Sequence, residues 1–233
     1  MTGSLNALFA ATVLFVGAHF LLSGQALRGP LAERLGEQGF RALYSVVGLA
    51  SFLWMLAAYR DAPLVAVWQP PPALAWVPLV VMPFALWLAV AGVTASSPTM
   101  VGGEARLADP GVHDPAPGMF RVTRHPFLWG AALWAASHLL VNGDAASILL
   151  MGAILVLSLG GMRHIDQRRE ALGAAWGPVK LTTSAIPFAA ILAGRTTMDW
   201  KGLGWWRPVL ALALYAALLH AHPWLMGVSA LPG

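Results

Sequence analysis

Leu5-Asn-Ala-Leu-Phe-Ala-Ala-Thr-Val-Leu-Phe-Val-Gly-Ala-His-Phe-Leu-Leu-Ser-Gly24 contains one histidine and no Asp, Glu, Lys or Arg. With a helical rise of about 1.5 Å per residue, such a run matches the hydrocarbon thickness of a bilayer and reads as a spanning helix. Five further windows meet that demand or come close: Phe40 to Tyr59, Ala73 to Ala95, Pro126 to Val141, Ala145 to Met162, and Trp205 to Met226. The fourth is the shortest, and its N-terminal end is expected to dip into the interface. Pro78 and Pro83 predict a kink in the third, with the freed carbonyl satisfied by a neighbouring helix or by water. Met1 to Asn6 carries no basic side chain and no small-residue cleavage site follows, so the first run is expected to be retained and not to serve as a signal peptide. The fold class is therefore all-α: a polytopic membrane bundle of about six transmembrane helices in one domain over residues 1–233.

Composition agrees. The chain is 58% hydrophobic and 10% charged, against about 25% charged in soluble domains. Eleven tryptophans and a mean hydropathy of +0.67 point the same way. A formal charge of +4 and a pI near 10.1 would suggest a nucleic-acid partner in a soluble protein. Here the basic residues lie between apolar segments, so membrane lipids are the expected surroundings and no nucleic acid is expected. Arg28, Arg34 and Arg41 flank the first loop, and Arg106, Arg121 and Arg124 lie in the third. Arg163, Arg168, Arg169, Lys180, Arg195, Lys201 and Arg207 belong to the fifth, leaving only Arg60 on the opposite face. With six helices, thirteen of fourteen Lys and Arg residues fall on one side. The positive-inside rule makes that side cytoplasmic and both termini non-cytoplasmic, in a bacterial inner membrane. Gly102 to Gly118 reads as irregular structure, Arg163 to Lys180 as a polar extension of the fifth helix, and Ile186 to Leu192 as an interfacial or re-entrant piece.

The absence of cysteine excludes disulfides, thiolate haem ligation, iron–sulfur clusters and a cysteine nucleophile. Asp, Glu and Lys are absent from the six apolar centres, whereas histidine is not: His19 lies in the first, His138 in the fourth, and His220 and His222 near the outer end of the sixth. His125 and His164 stand at the cytoplasmic ends of the fourth and fifth. Imidazoles projecting into a bundle can hold haem or a metal, although a single one is often only hydrogen-bonded between helices. Two on different helices without buried carboxylates favour haem over a hard metal site. His220 and His222 are two residues apart and cannot share a face. Arg124 and His125 precede Pro126, a residue suited to a helix's first turn, and so occupy a place suited to an anion or a haem propionate. Interfacial anchoring by Arg, His and Trp129 is the plainer reading of the same residues.

The chain resembles the NnrU family, which includes the plant and cyanobacterial 15-cis-zeta-carotene isomerases. The resemblance rests on Gly17-Ala-His-Phe-Leu-Leu-Ser-Gly24, Arg121-Val-Thr-Arg-His-Pro126, Leu133-Trp-Ala-Ala-Ser-His138, Thr183-Ser-Ala-Ile-Pro-Phe-Ala-Ala-Ile-Leu-Ala-Gly-Arg195 and Ala221-His-Pro223. It implies haem b with His19 and His138 as axial ligands. The isomerase type has a cysteine three residues before the second histidine, where this chain has Ala135, so a His-to-Cys ligand exchange is not available. By rise alone His19 and His138 differ by roughly 10 Å in nominal depth. Tilt, or a fourth helix starting below the membrane surface, closes that gap; otherwise His125 is the better partner for His19. A weaker resemblance to membrane methyltransferases of the isoprenylcysteine carboxyl methyltransferase type rests on Arg124, His125, Pro126 and Gly130. The acids after it, Asp166 and Glu170, are not adjacent.

The expectation is thus a haem-b-binding inner-membrane protein of the NnrU type, linked to nitric oxide or nitrite reduction or to redox sensing, with a nitrogen-oxide reductase as partner. The alternative is a cis–trans isomerase of a lipophilic polyene, bound near Trp134, Phe20 and Trp87. Methyl transfer ranks third. The expected ligands are His19 and His138, with Arg124, His125 and Trp134 as further cofactor contacts.

Overall fold

Ser4 begins the first helix by accepting the Ala7 amide at 3.1 Å, which satisfies one of the donors that every helix start leaves open. This computed structural model describes residues 3–95, 99, 107, 114 and 116–232; most of Gly102 to Gly118, with Arg106, lies outside them. Helices among the described residues, numbered in chain order, are α1 Leu5–Ser23, α2 Gln25–Arg60, α3 Trp76–Thr94, α4 Met119–Val122 and α5 Pro126–Leu139. They continue with α6 Ala145–Glu170, α7 Gly177–Thr182, α8 Ala189–Leu192, α9 Trp200–Leu203 and α10 Trp206–Met226.

Among the described residues five helical stretches are long and apolar enough to cross a membrane: Leu5–Ser23, Ala26–Arg60, Pro72–Thr94, Ala145–Glu170 and Trp200–Met226. Large apolar side chains face outward along them, with Phe9, Val46 and Val80 all more than half exposed. Water would penalise that surface, whereas hydrocarbon does not. The fold is that of an all-α polytopic membrane protein. The fourth window forms α5, whose 14 residues rise only about 21 Å, short of a full hydrocarbon core of about 30 Å. The fifth window extends beyond the apolar run to Glu170, as its polar tail suggested.

Two compact units divide the chain, Met1–Leu74 with Ala135–Gly161 and Ala75–Trp134 with Met162–Gly233. In the first, α1 and α2 pair antiparallel. Phe15 meets Phe52 at 5.6 Å between ring centroids, and one turn on His19 meets Tyr44 at 5.5 Å. The polar stretch after Gly24, which the sequence presents as a loop, is helical and belongs to α2. Gly36 breaks that helix with φ 73° and ψ 161°, a backbone state that glycine reaches without steric cost. Glu37 braces the break by accepting from Arg28 at 2.8 Å and Arg41 at 3.2 Å. α6 closes on α1 at Gly160, where a Cβ would stand 2.8 Å from Phe20 Cζ. The segments after α2 and after α5 join through Val67 N to Gly143 O, 2.7 Å, and Ala145 N to Val65 O, 2.9 Å. These are the segments that carry few basic residues, and their hydrogen bonds put them on one side.

In the second unit, small residues let backbones approach. A Cβ on Gly92 would lie 2.6 Å from Phe127 N, and one on Gly130 2.5 Å from Ala85 O. Pro78 falls in the first turn of α3, and the helix continues through Pro83. Proline has no N–H, so the carbonyl four residues earlier, that of Leu79, loses its helical donor. Tyr215 of α10 supplies the missing hydrogen bond, Oη to Leu79 O at 3.0 Å. The neighbouring helix thus satisfies the carbonyl that Pro83 was expected to free.

Candidate functional site

His19 lies on α1, four residues after Phe15, and its Nδ1 is 2.7 Å from the Phe15 carbonyl oxygen. A carbonyl only accepts, so Nδ1 carries the proton and Nε2 of the neutral ring presents a lone pair. Edge-on contacts with Phe15 at 4.5 Å and Tyr44 at 5.5 Å between ring centroids fix the ring plane. The Nε2–Cε1 edge faces Gly48, where a Cβ would stand 3.5 Å from both atoms. Metal-bound histidines commonly have this arrangement, one nitrogen tied to a carbonyl and the other left for the ligand. His19 thus fits an axial haem ligand, and Gly48 keeps bulk away from its free edge.

His138 occupies the last turn of α5, half-buried, with Nδ1 3.4 Å from Ser137 Oγ. Its carbonyl closes the helix, accepting from Asn142 N at 3.0 Å and Asn142 Nδ2 at 2.8 Å. His19 and His138 belong to the same unit. Ala135, the position that holds a cysteine in the isomerase type, is fully buried. Among the described residues no group of three or more His, Cys, Asp or Glu could hold a metal ion. His220 is exposed and stacks edge-on with Trp224 at 4.8 Å, while His222 Nδ1 donates to Val228 O at 2.8 Å. Trp134 is half-buried on α5; Trp134 and Trp87 belong to one unit and Phe20 to the other.

A second cluster forms around Arg124 and His125. His125 is buried, and its Nε2 donates to Asp166 Oδ1 at 3.0 Å. Arg124 donates from Nη1 to Asp166 Oδ2 at 3.2 Å and from Nη2 to the Thr183 carbonyl at 3.2 Å. Burial pushes the guanidinium pKa down, and the charge of Asp166 opposes that shift. The backbone is held as firmly. Arg124 N donates to Ser184 O at 2.9 Å, Thr123 Oγ1 to Ala185 O at 2.8 Å, and Trp129 Nε1 to the same oxygen at 2.7 Å. Phe188 N donates to Val122 O at 2.8 Å, with Phe188 itself in the left-handed region at φ 63°. Arg195 Nη1 gathers the carbonyls of Lys180, Leu181 and Thr183 at 2.8–3.1 Å. Two motifs distant in sequence, Arg121 to Pro126 and Thr183 to Arg195, are therefore one interlocked structure.

A family model described as NnrU protein matches residues 7–230. The chain belongs to the NnrU family. Among curated proteins it is similar to the chloroplastic 15-cis-zeta-carotene isomerase of Arabidopsis thaliana, 32% identical over 129 residues, 54% of this chain and 35% of that protein. The Zea mays 15-cis-zeta-carotene isomerase is 29% identical over 123 residues, 51% of this chain and 34% of that one. This NnrU-family protein thus spans about a third of the length of the curated relatives it matches. No solved structure matches.

Asp166 is the residue to which sequence reasoning gave no role, naming it only beside Glu170 in the weaker methyltransferase resemblance. It joins Arg124 and His125 across 42 and 41 positions. Its signals were that acidic stretch and its place as the first acid after the fifth apolar run. Its neighbours Arg168 and Arg169 made a solvated charged stretch the natural reading.

Proposed function

We propose that this NnrU-family protein is a cis–trans isomerase of a lipophilic polyene, working within a bacterial cytoplasmic membrane with haem b held by His19 and His138. The observation that carries the reading is the His19 ring, tied at Nδ1 by Phe15 with its Nε2 edge facing Gly48, in a chain similar to two curated proteins both called 15-cis-zeta-carotene isomerase. The isomerase reading is favoured over a nitrogen-oxide role because those names support it directly.

The chain's own residues supply position. Phe15 and Tyr44 keep the His19 plane from turning, so Nε2 stays aimed without waiting for a ligand to order it. The exposed apolar helix faces allow a long polyene to arrive from lipid without crossing water. When bound, a haem would supply redox chemistry able to weaken the central double bond. Ala135 offers no lone pair, so no thiolate from that position enters.

The test is expression in a carotenoid-making bacterium that lacks its own 15-cis isomerase. Loss of 15-cis-zeta-carotene with gain of the isomer trans at that bond is expected, and His19→Ala should abolish it. An unchanged isomer ratio with well-expressed wild-type protein would remove the substrate assignment.

A further inference from the structure

We propose that residues 25–35, the first part of α2, form a surface helix that docks on the anionic phospholipid of one leaflet, with Leu27, Leu31 and Leu35 in the acyl boundary and Arg34 on a headgroup phosphate. Length requires that part of α2 leave the hydrocarbon. Its 36 residues rise about 54 Å, against a hydrocarbon core of about 30 Å. Contacts with α1 say which part. A Cβ on Gly3 would collide with Asp61 O, Phe15 meets Phe52, and His19 meets Tyr44, so one further turn brings Ser23 level with Phe40. Residues 25–35 therefore start and finish near one depth, at the end of the α1–α2 pair, and the break at Gly36 turns the chain back into the span.

The faces of this helix differ. At about 100° per residue, Leu27, Leu31 and Leu35 occupy an arc of about 80°, bordered within about 20° by Arg34 on one side and Arg28 on the other, while Glu33 and Ala26 fall opposite. Leu27 is 43% and Leu35 50% exposed, an apolar stripe that water penalises. Pro30 leaves the Ala26 carbonyl without its helical donor, as Pro83 does to that of Leu79. Ala26 and Pro30 are both exposed, so on the polar face water can give the hydrogen bond that Tyr215 has to give inside the membrane. Arg28 is engaged by Glu37 at 2.8 Å and lies over the Phe40 ring at 5.5 Å. Arg34 is exposed and has no ion pair among the described residues. An apolar stripe edged by an uncommitted guanidinium fits the acyl–headgroup boundary, where the arginine stem lies along hydrocarbon and its head pairs with phosphate. The same helix already presents Val46 and Leu49, both more than half exposed, to the bilayer a few turns on. Neither haem nor a polyene takes part in this contact.

The chain has no cysteine, so single spin labels can be attached to the full chain through Leu27→Cys, Leu35→Cys, Glu33→Cys and, as a lipid-facing reference, Val46→Cys. In nanodiscs containing phosphatidylglycerol, power saturation compares collision with oxygen, which concentrates in hydrocarbon, and with a water-soluble nickel chelate. Labels at 27 and 35 should favour oxygen, as that at 46 does, and the label at 33 should favour nickel. Nickel favoured at 27, 33 and 35 alike would overturn the proposal. So would oxygen favoured at all three, which puts the segment inside the hydrocarbon. Shielding of 27 and 35 from both reagents, with line broadening between labelled copies, would overturn it in favour of a second copy of this chain. For the headgroup, protein offered equal phosphatidylglycerol and phosphatidylcholine in detergent is examined by native mass spectrometry. Arg34→Gln should lower the preference for phosphatidylglycerol by about fivefold, and Arg60→Gln, at the other end of α2, should leave it unchanged. An unaltered preference in Arg34→Gln, or an equal loss in both variants, would overturn the contact with phosphate.

Discussion

His19 has its tautomer chosen by its own helix, because the Phe15 carbonyl accepts from Nδ1 at 2.7 Å. Its Nε2–Cε1 edge faces Gly48. A Cβ there would make ordinary contact at 3.5 Å, so Gly48→Ala should fold and bind haem almost as wild type does. Gly48→Leu should fold yet lose most of its haem, measured as the ratio of Soret to protein absorbance, since the added carbons extend into the space a ligand needs. Equal haem content in both variants would show that Nε2 does not face its ligand from that side. Asp199 is a second residue whose role is set by local donors. It accepts from Gly118 N at 2.8 Å and Gly202 N at 2.9 Å, and these two amides hold its carboxyl below its ordinary pKa of 3.8. A depressed carboxyl stabilises the fold above its unfolded pKa and loses that contribution as pH falls through the folded value. Asp199→Ala should therefore melt below wild type at neutral pH, by the equivalent of about 1 kcal/mol. The gap should narrow as the pH is taken below 3.8; thermal melts across that range check it.

Elements are coupled where one repairs the defect of another. Pro83 deprives Leu79 of its helical donor, and Tyr215 replaces that donor from α10. Tyr215→Phe should cost about 1 kcal/mol by leaving the carbonyl unsatisfied. The cost should fall toward zero in a Pro83→Ala background, where the helix supplies its own N–H; a double-mutant cycle reads the coupling. Hydropathy made the α3 proline problem legible, because the missing donor is a local fact. It did not reveal which helix answers, because that depends on a residue more than a hundred positions away. The α3–α5 seam has the same character. Gly92 and Gly130 read simply as glycines in apolar runs, yet backbone atoms of the opposing helix would lie 2.6 and 2.5 Å from an added Cβ. Backbone cannot yield as a flexible side chain does, so Gly92→Val should destabilise by about 1–3 kcal/mol or more, measured by denaturant unfolding in detergent micelles. The polar start of α2 was misread for a related reason. Arg28, Glu33, Arg34 and Glu37 look like a solvated loop, but the helix continues on either side of Gly36 and Glu37 ties the two parts together.

At the scale of the whole molecule, what the bilayer demands was written plainly in the chain. Spanning length and the placement of thirteen of fourteen basic residues are one-dimensional signals. The pairing of the 65–67 and 143–145 segments agrees with the partition they imply. Reporter fusions after Met226 and in the Arg163–Lys180 segment should therefore report opposite sides, non-cytoplasmic and cytoplasmic respectively. The histidines were equally visible as candidates, since imidazole is rare in an apolar run. Their geometry was not, because an iron site is made by side chains from separate helices. The Arg124–Asp166–His125 cluster was half legible: the arginine and histidine form a motif, while their carboxylate lies on another helix and carries no local mark.

The most direct test of the haem-dependent isomerase reading is the absorption spectrum of the purified, haem-supplied protein, set beside His19→Ala and His138→Ala. A haem held by both histidines gives a six-coordinate, bis-histidine Soret band in the wild type that is lost or shifted to a five-coordinate form in each variant. A wild-type spectrum without a Soret band, or one that neither substitution changes, would contradict it.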